Sequence, residues 1–196
     1  GGSQPFGVVV IAGTGHVAAG RDPAGRTVRT LGLGPMYGDF GSATDVAEEA
    51  VRAVADAYTG RGPATSLSRL LPPLAGCASA EQLLQLLSRG LVPLPEAAPL
   101  VLQEAEAGDP ACRQIVLHAG ASLGESAAVV ARRLGLGGQR FEMVMAGGLF
   151  RSRNRLLEGT LVDTMARQAP QAVPVHLTCR PVIGAALDAL DLAGLP

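Results

Sequence analysis

An α/β fold is predicted by three observations. A β-branched run, Val8 to Ile11, ends in Gly13-Thr14-Gly15 and is followed by two short strand-like pieces, around 17–20 and 27–30. After Gly41 the apolar period changes from two to about 3.6, the helical value. A second apolar strand, Phe141 to Met145, runs into Ala146-Gly147-Gly148, and a helix, a strand and a helix follow it. The predicted order is three meandering strands, a block of helices over 42–134, then strand–helix–strand–helix.

Asp22-Pro23-Ala24-Gly25 reads as the turn between the second and third strands. Gly32, Gly34, Gly38 and Gly41 follow, with Asp39 the only acid among them. Glycines at that density let backbone approach a ligand and offer bare N–H groups to oxygen-rich groups. Ala47, Ala50, Val51, Val54 and Tyr58 share one helical face, capped by Ser42 or Thr44, with Glu48 and Glu49 favouring the first turn. Gly60 to Pro63 ends that helix, and a short one over 65–71 stops at Pro72-Pro73. Ser79-Ala80-Glu81-Gln82 fits a capping box before Leu83, Leu84, Leu86 and Leu87. A proline-punctuated connection over 90–99 precedes a helix at 100–107. Gly108-Asp109-Pro110 breaks that helix, with Asp109 as N-cap and Pro110 in the first position of the next. Ile115, Ala119, Ser122, Leu123, Ser126, Val130 and Leu134 form its buried stripe. Ser152 is placed as the cap of a helix through Leu156, Leu157, Leu161 and Met165. The last strand spans 173–177 and the last helix 181–192.

With 196 residues the chain can bury a good core, and one domain is the default. A formal net charge of −1 points to neither a nucleic acid nor an anionic membrane as partner. All 16 basic residues are arginine, so no lysine serves as phosphate clamp or Schiff base. Cys77, Cys112 and Cys179 are widely spaced and lack a CxxC pair, which fits a reduced, cytoplasmic protein better than a zinc site. No apolar run reaches the roughly 20 residues of a membrane span. Gly1 to Pro5 reads as a linker, a scar or a cut inside a longer protein.

The order GTG (13–15), DPAGRTVR (22–29), GLG (32–34), GDFGSA (38–43), AGDP (107–110), AGGLFRS (146–152) and RPVIGAALDAL (180–190) resembles the second domain of the BadF/BcrA-type ATPases and N-acetylglucosamine kinases. These belong to the actin, sugar-kinase and heat-shock ATPase superfamily. The resemblance implies a ribonuclease-H-like core: a mixed sheet of about five strands, with the helices at 42–134 inserted on one side. It covers essentially the whole chain and implies ATP and Mg²⁺ as cofactors and an amino sugar as substrate.

The resemblance also assigns sites. Gly13, Thr14 and Gly15 would form a phosphate-facing loop, with the Thr14 hydroxyl near the terminal phosphates; an ordinary hairpin turn would use the same residues. Gly32, Gly34 and Asp39 would contact the sugar, because a carboxylate accepts two hydroxyl hydrogens at once. The bland alternative is an Asp stabilising a glycine turn. Gly108 would lie near the nucleotide, whereas Asp109 reads better as a helix cap. Ala146, Gly147 and Gly148 would pack against adenosine, with Ser152 in reach. Arg151, Arg153 and Arg155 read as a solvated helix start, and His118 and His176 as structural. Three residues depart from the usual pattern: His16 for Ser, Leu33 for Trp and Phe40 for Glu.

The family's phosphate-holding hairpin and its general-base Asp have no counterpart here. The chain is therefore expected to be the C-terminal lobe of a two-lobe kinase, with no catalytic residue and no metal ligand of its own, inactive without an N-terminal lobe. An N-acetylglucosamine kinase-like enzyme is the leading expectation, with a homodimer through the helical block by analogy. An activator-type ATPase of the same family and a non-catalytic sugar- or nucleotide-binding regulatory protein are the alternatives.

Overall fold

β1 (Gly7–Ala12) is the strand on which the sheet turns. β2 (His16–Arg21) pairs with it antiparallel, and β3 (Thr27–Arg29) pairs antiparallel with β2. On its other side β1 runs parallel to β4 (Phe141–Ala146), which runs parallel to β5 (Ala172–His176). The order β3-β2-β1-β4-β5 is the expected five-stranded mixed sheet. The structure, a computed structural model, describes residues 2–89, 96–178 and 182–184.

Alternation in β1 turns Val8, Val10 and Ala12 toward the helices, and Phe141, Met143 and Met145 of β4 join them in the core. The helices are α1 (Ala43–Thr59), α2 (Leu67–Leu74), α3 (Ala80–Leu87), α4 (Ala97–Ala107), α5 (Pro110–Arg133) and α6 (Arg155–Ala166). α5 is central and packs on β1, β2, α1, α4 and α6. Of its expected stripe, all but the half-buried Ser122 are buried. Two glycines let α6 approach α5 closely: a Cβ at Gly120 would stand 2.7 Å from the Leu157 carbonyl oxygen, and one at Gly124 2.6 Å from that of Leu161. The opposite sheet face holds an open, mainly apolar concavity of about 750 Å³, walled by Val9, Ile11, Ala19, Val28 and Val144.

Several boundaries differ from expectation. α2 continues through Pro72 and Pro73, because their carbonyls accept from Ala75, Gly76 and Cys77 and close its last turn. α4 begins at Ala97, where Pro99 sits in the first turn and needs no intrahelical donor. Tyr58 is exposed in the last turn of α1. The acid of the first turn of α1 is Asp45, not Glu48 or Glu49: Ser42 Oγ accepts from Asp45 N, and Asp45 Oδ2 accepts from Ser42 N. Gln82 bonds the Ala78 amide rather than that of the Ser79 cap.

Ser152 does not cap α6. Residues Gly148–Ser152 form a 3₁₀ turn, and the cap is Asn154, whose Oδ1 accepts from Leu157 N while its Nδ2 donates to the Leu102 carbonyl. The buried Asn satisfies two helices at once, which the exposed serine cannot do. The expected last helix lies outside the described residues except for 182–184, which are helical. Cys179 also lies outside them, while Cys112 is buried as expected.

Candidate functional site

Parallel pairing of β1 and β4 places their carboxyl ends at one edge of the sheet. Ligands of open α/β sheets bind outside such ends. Ile11 pairs with Ala146, so the Gly13–Gly15 and Ala146–Gly148 turns emerge side by side. The two glycines at 147 and 148 have different jobs. Gly147 (φ 105°, ψ 172°) crosses β1, and a Cβ there would stand 2.2 Å from the Ala12 carbonyl oxygen. Gly148 faces open space, with nothing within 4 Å of a Cβ. Room for a ligand is therefore a property of Gly148, while Gly147 is required by the sheet itself.

The first turn is held from behind. The Gly13 carbonyl accepts from Ala43 N, and the Thr14 carbonyl accepts from Thr44 Oγ1, which docks the N-terminus of α1 against it. Thr14 and Gly15 are exposed, and their amides donate to no partner among the described residues. Nothing lies within 4 Å of a Cβ at Gly13 or Gly15. Two free amides and one hydroxyl on a tight turn suit an anion. Thr44 was not anticipated as a support; a hydroxyl beside a helix N-cap leaves no distinct mark in a sequence.

The loop after β3 folds back beside this turn. Asp39 is 4% exposed, and its Oδ2 accepts from the amides of Gly32 (2.7 Å) and Leu33 (3.1 Å). Asp39 thus stabilises the glycine turn, and Oδ1 has no partner among the described residues. Gly34 faces open space, whereas Gly32 rests on Val17. Phe40 stacks on His118 of α5 with ring centroids 4.1 Å apart, and the exposed His118 supports the loop from outside. Gly41 (φ 121°) comes so close to α5 that a Cβ would meet Leu123 at 2.9 Å.

Gly108 ends α4 in the left-handed conformation with open space where a Cβ would be. The end of α4 is tied to the 148–155 segment by Arg155 N donating to Glu106 and by the Asn154–Leu102 bond. Gly108 therefore lies on the Ala146–Gly148 side of the site. Asp109 is a cap: Oδ1 accepts from Cys112 N, and Oδ2 accepts from Thr65 Oγ1, Ser66 N and Ser66 Oγ. Burial opposes its charge, but these donors hold the carboxyl below its usual range. Burial and the neighbouring Asp109 push the Cys112 thiol up to about 12, which makes it inert.

Ser152 Oγ donates to the Leu149 carbonyl. Arg151, Arg153 and Arg155 are exposed, and Arg153 is left-handed at φ 52°. His176 Nε2 lies 3.1 Å from Glu158 Oε2, a structural contact between β5 and α6. The described residues hold no grouping of three His, Cys, Asp or Glu side chains that suits a metal. The free amides and open glycines leave room for an anionic ligand. No helix among the described residues is long and apolar enough to cross a membrane.

The family described as the BadF/BadG/BcrA/BcrD ATPase family matches residues 3–189. The chain is 31% identical over 191 residues to the N-acetyl-D-glucosamine kinase of Dictyostelium discoideum, covering 95% of this chain and 60% of that protein. It is 30% identical over 155 residues to the N-acetylmuramic acid/N-acetylglucosamine kinase of Clostridium acetobutylicum, covering 78% of this chain and 51% of that protein. Among solved structures, a candidate N-acetylglucosamine kinase of Chromobacterium violaceum superposes with a TM-score of 0.61 at 24% identity, over 86% of this chain and 55% of that one. The ROK hexokinase of Thermus thermophilus superposes at 0.57 and 15% identity, over 97% of this chain and 60% of that one. The fold is that of the sugar kinases, the actin-like ATPase fold.

Proposed function

Because the chain belongs to the BadF/BadG/BcrA/BcrD ATPase family, we propose that it is the C-terminal lobe of an ATP-dependent amino-sugar kinase. The whole protein transfers the γ-phosphoryl of ATP to a hydroxyl of N-acetylglucosamine or a related hexosamine. The chain spans about half to three-fifths of the length of the curated relatives it matches, which supports a second lobe. The observation that carries the reading is the β1–β4 pairing, which sets the Gly13–Gly15 turn beside Gly148 at one sheet edge with the Asp39 loop next to it.

In this reading Gly148, Gly108 and Ala146 face adenosine, with Ser152 at the rim. The Thr14 hydroxyl and the amides of Thr14 and Gly15 meet the terminal phosphates. Asp39 Oδ1 and the backbone of Gly34 accept and donate to sugar hydroxyls, while Gly32 keeps Asp39 in place. Phosphoryl transfer is chiefly positioning and charge stabilisation, so a lobe built from amides and one carboxylate supplies orientation. Closure of a second lobe excludes water, and Mg²⁺ carried by the phosphates offsets their charge.

The activator-ATPase reading needs thiolates. Cys112 is fully buried with its thiol pushed up to about 12, which counts against it. A non-catalytic binding protein keeps some support, because Phe40 stacks on His118 where a carboxylate would offer a second polar contact. Calorimetric titration of the intact protein with a non-hydrolysable ATP analogue and with N-acetylglucosamine tests the proposal. Each ligand is expected to bind and to tighten the other. Binding of neither one refutes the reading.

A further inference from the structure

His16 opens β2 opposite Ala12, directly after the Gly13–Gly15 turn. It is 5% exposed, and both Nδ1 and Nε2 are buried without a hydrogen-bond partner among the described residues. Buried polar atoms are almost always paired, so an imidazole with two orphaned nitrogens requires an account. The ring stands near the backbone of Asp39 and Phe40, close enough to feel both but short of full hydrogen-bond geometry with either. Its carbonyl side abuts Gly32, where a Cβ would stand 3.7 Å from His16 O.

The charges bearing on the ring come from two elements. Asp39 lies on the loop, with Oδ2 committed to the amides of Gly32 and Leu33. Asp45 lies in the first turn of α1, with Oδ2 committed to the amides of Gly41 and Ser42. α5 packs behind through Ala119 and Leu123, and the titratable group it brings to the loop is His118, stacked on Phe40. β1 contributes Ala12 and no charge. The imidazole therefore feels two carboxylates that each already hold two amides and that make no hydrogen bond to its nitrogens.

We propose that His16 is a positioning residue that couples the Gly13–Gly15 turn to the Gly32–Asp39 loop and makes sugar binding depend on its protonation. The neutral ring leaves Asp39 Oδ1 free to accept from a sugar hydroxyl. The protonated ring turns toward the Asp39–Phe40 backbone, its charge attracts the Asp39 carboxylate, and the hold of that carboxylate on the sugar weakens. Burial lowers the imidazole below its ordinary value, with Asp39 and Asp45 pulling the other way, so the neutral form is the working one near pH 7. The sugar arm of this proposal rests on the kinase reading; the coupling itself does not.

The test follows the His16 ring and the Gly32 and Leu33 amides by NMR in the intact, sugar-free protein from pH 5 to 8. Ring and amides are expected to titrate together, with one midpoint below the ordinary histidine value of about 6.5. In parallel, calorimetry measures N-acetylglucosamine and a non-hydrolysable ATP analogue across the same range. The sugar Kd is expected to rise about tenfold per pH unit below the midpoint, and the nucleotide Kd by less than about twofold. His16→Asn is expected to abolish both the amide titration and the pH dependence. Amides that ignore the His16 titration overturn the proposal, and so does a pH-dependent sugar Kd that persists in H16N. The wild-type titration decides even if H16N does not fold. Amides that follow His16 while no sugar binds at any pH support the coupling and retire the kinase reading.

Discussion

Replacing Gly147 or Gly148 by alanine separates fold from function at one turn. At Gly147 the backbone (φ 105°, ψ 172°) lies in a region open essentially to glycine alone, which costs alanine about 1–3 kcal/mol. The new Cβ would stand 2.2 Å from the Ala12 carbonyl oxygen and 2.6 Å from its carbon. Those atoms belong to β1 and cannot rotate away, so overpacking adds about 1–3 kcal/mol. The expected loss is about 2–6 kcal/mol, a large part of the roughly 5–15 kcal/mol that a domain has. At Gly148 nothing lies within 4 Å and φ is ordinary, so stability is expected to change by less than about 0.5 kcal/mol. The Gly148 methyl enters the space assigned to the nucleotide and is expected to weaken ATP about tenfold, or about 1.4 kcal/mol. Urea unfolding reads the first quantity and calorimetry the second. An unchanged urea midpoint for Gly147→Ala refutes the backbone argument. Wild-type ATP affinity in Gly148→Ala refutes the placement of adenosine.

Asp109→Ala removes one carboxylate that caps α5 and anchors the start of α2, and it is expected to cost about 2–3 kcal/mol in urea unfolding without changing ATP affinity. The Asp109 carboxyl is lowered in the fold, so its stabilisation is present above the ordinary carboxylate range. It is lost as pH falls through the folded value, which an acid-unfolding series on the variant checks. Asp39→Asn is expected to raise the sugar KM about 10- to 100-fold while the ATP KM stays within about twofold, measured by steady-state kinetics. His16 is also lowered in the fold. Its contribution is complete above about 6.5 and declines as pH falls toward the folded value, so melting at pH 5.5 should fall below that at pH 7.5 and flatten in His16→Asn.

Periodicity made most of the fold legible. The alternation of β1 and the stripe of α5 appear in the structure nearly as read, because each reports burial along a single element. Ends were harder to place. Whether Pro72-Pro73 stops a helix depends on which donors reach their carbonyls, and that is settled by the chain beyond them. In the sequence the cap of α6 reads as Ser152, and the structure gives it to Asn154. What favours Asn154 is the Leu102 carbonyl, 52 residues away in sequence. At the candidate site, motif order singles out the turns and the Asp39 loop. It could not divide the labour between Gly147 and Gly148, since that rests on where β1 ends. Nor could it mark His16 as buried and without a hydrogen-bond partner among the described residues. Only the folded loop and the start of α1 bring the charges of Asp39 and Asp45 near the ring.

ADP release by the intact protein with Mg-ATP, compared across a panel of hexosamines and a no-sugar control, tests the central claim most directly. The account predicts release that depends on N-acetylglucosamine or a close relative. Equal release without sugar, or none from folded protein with any sugar, would contradict it.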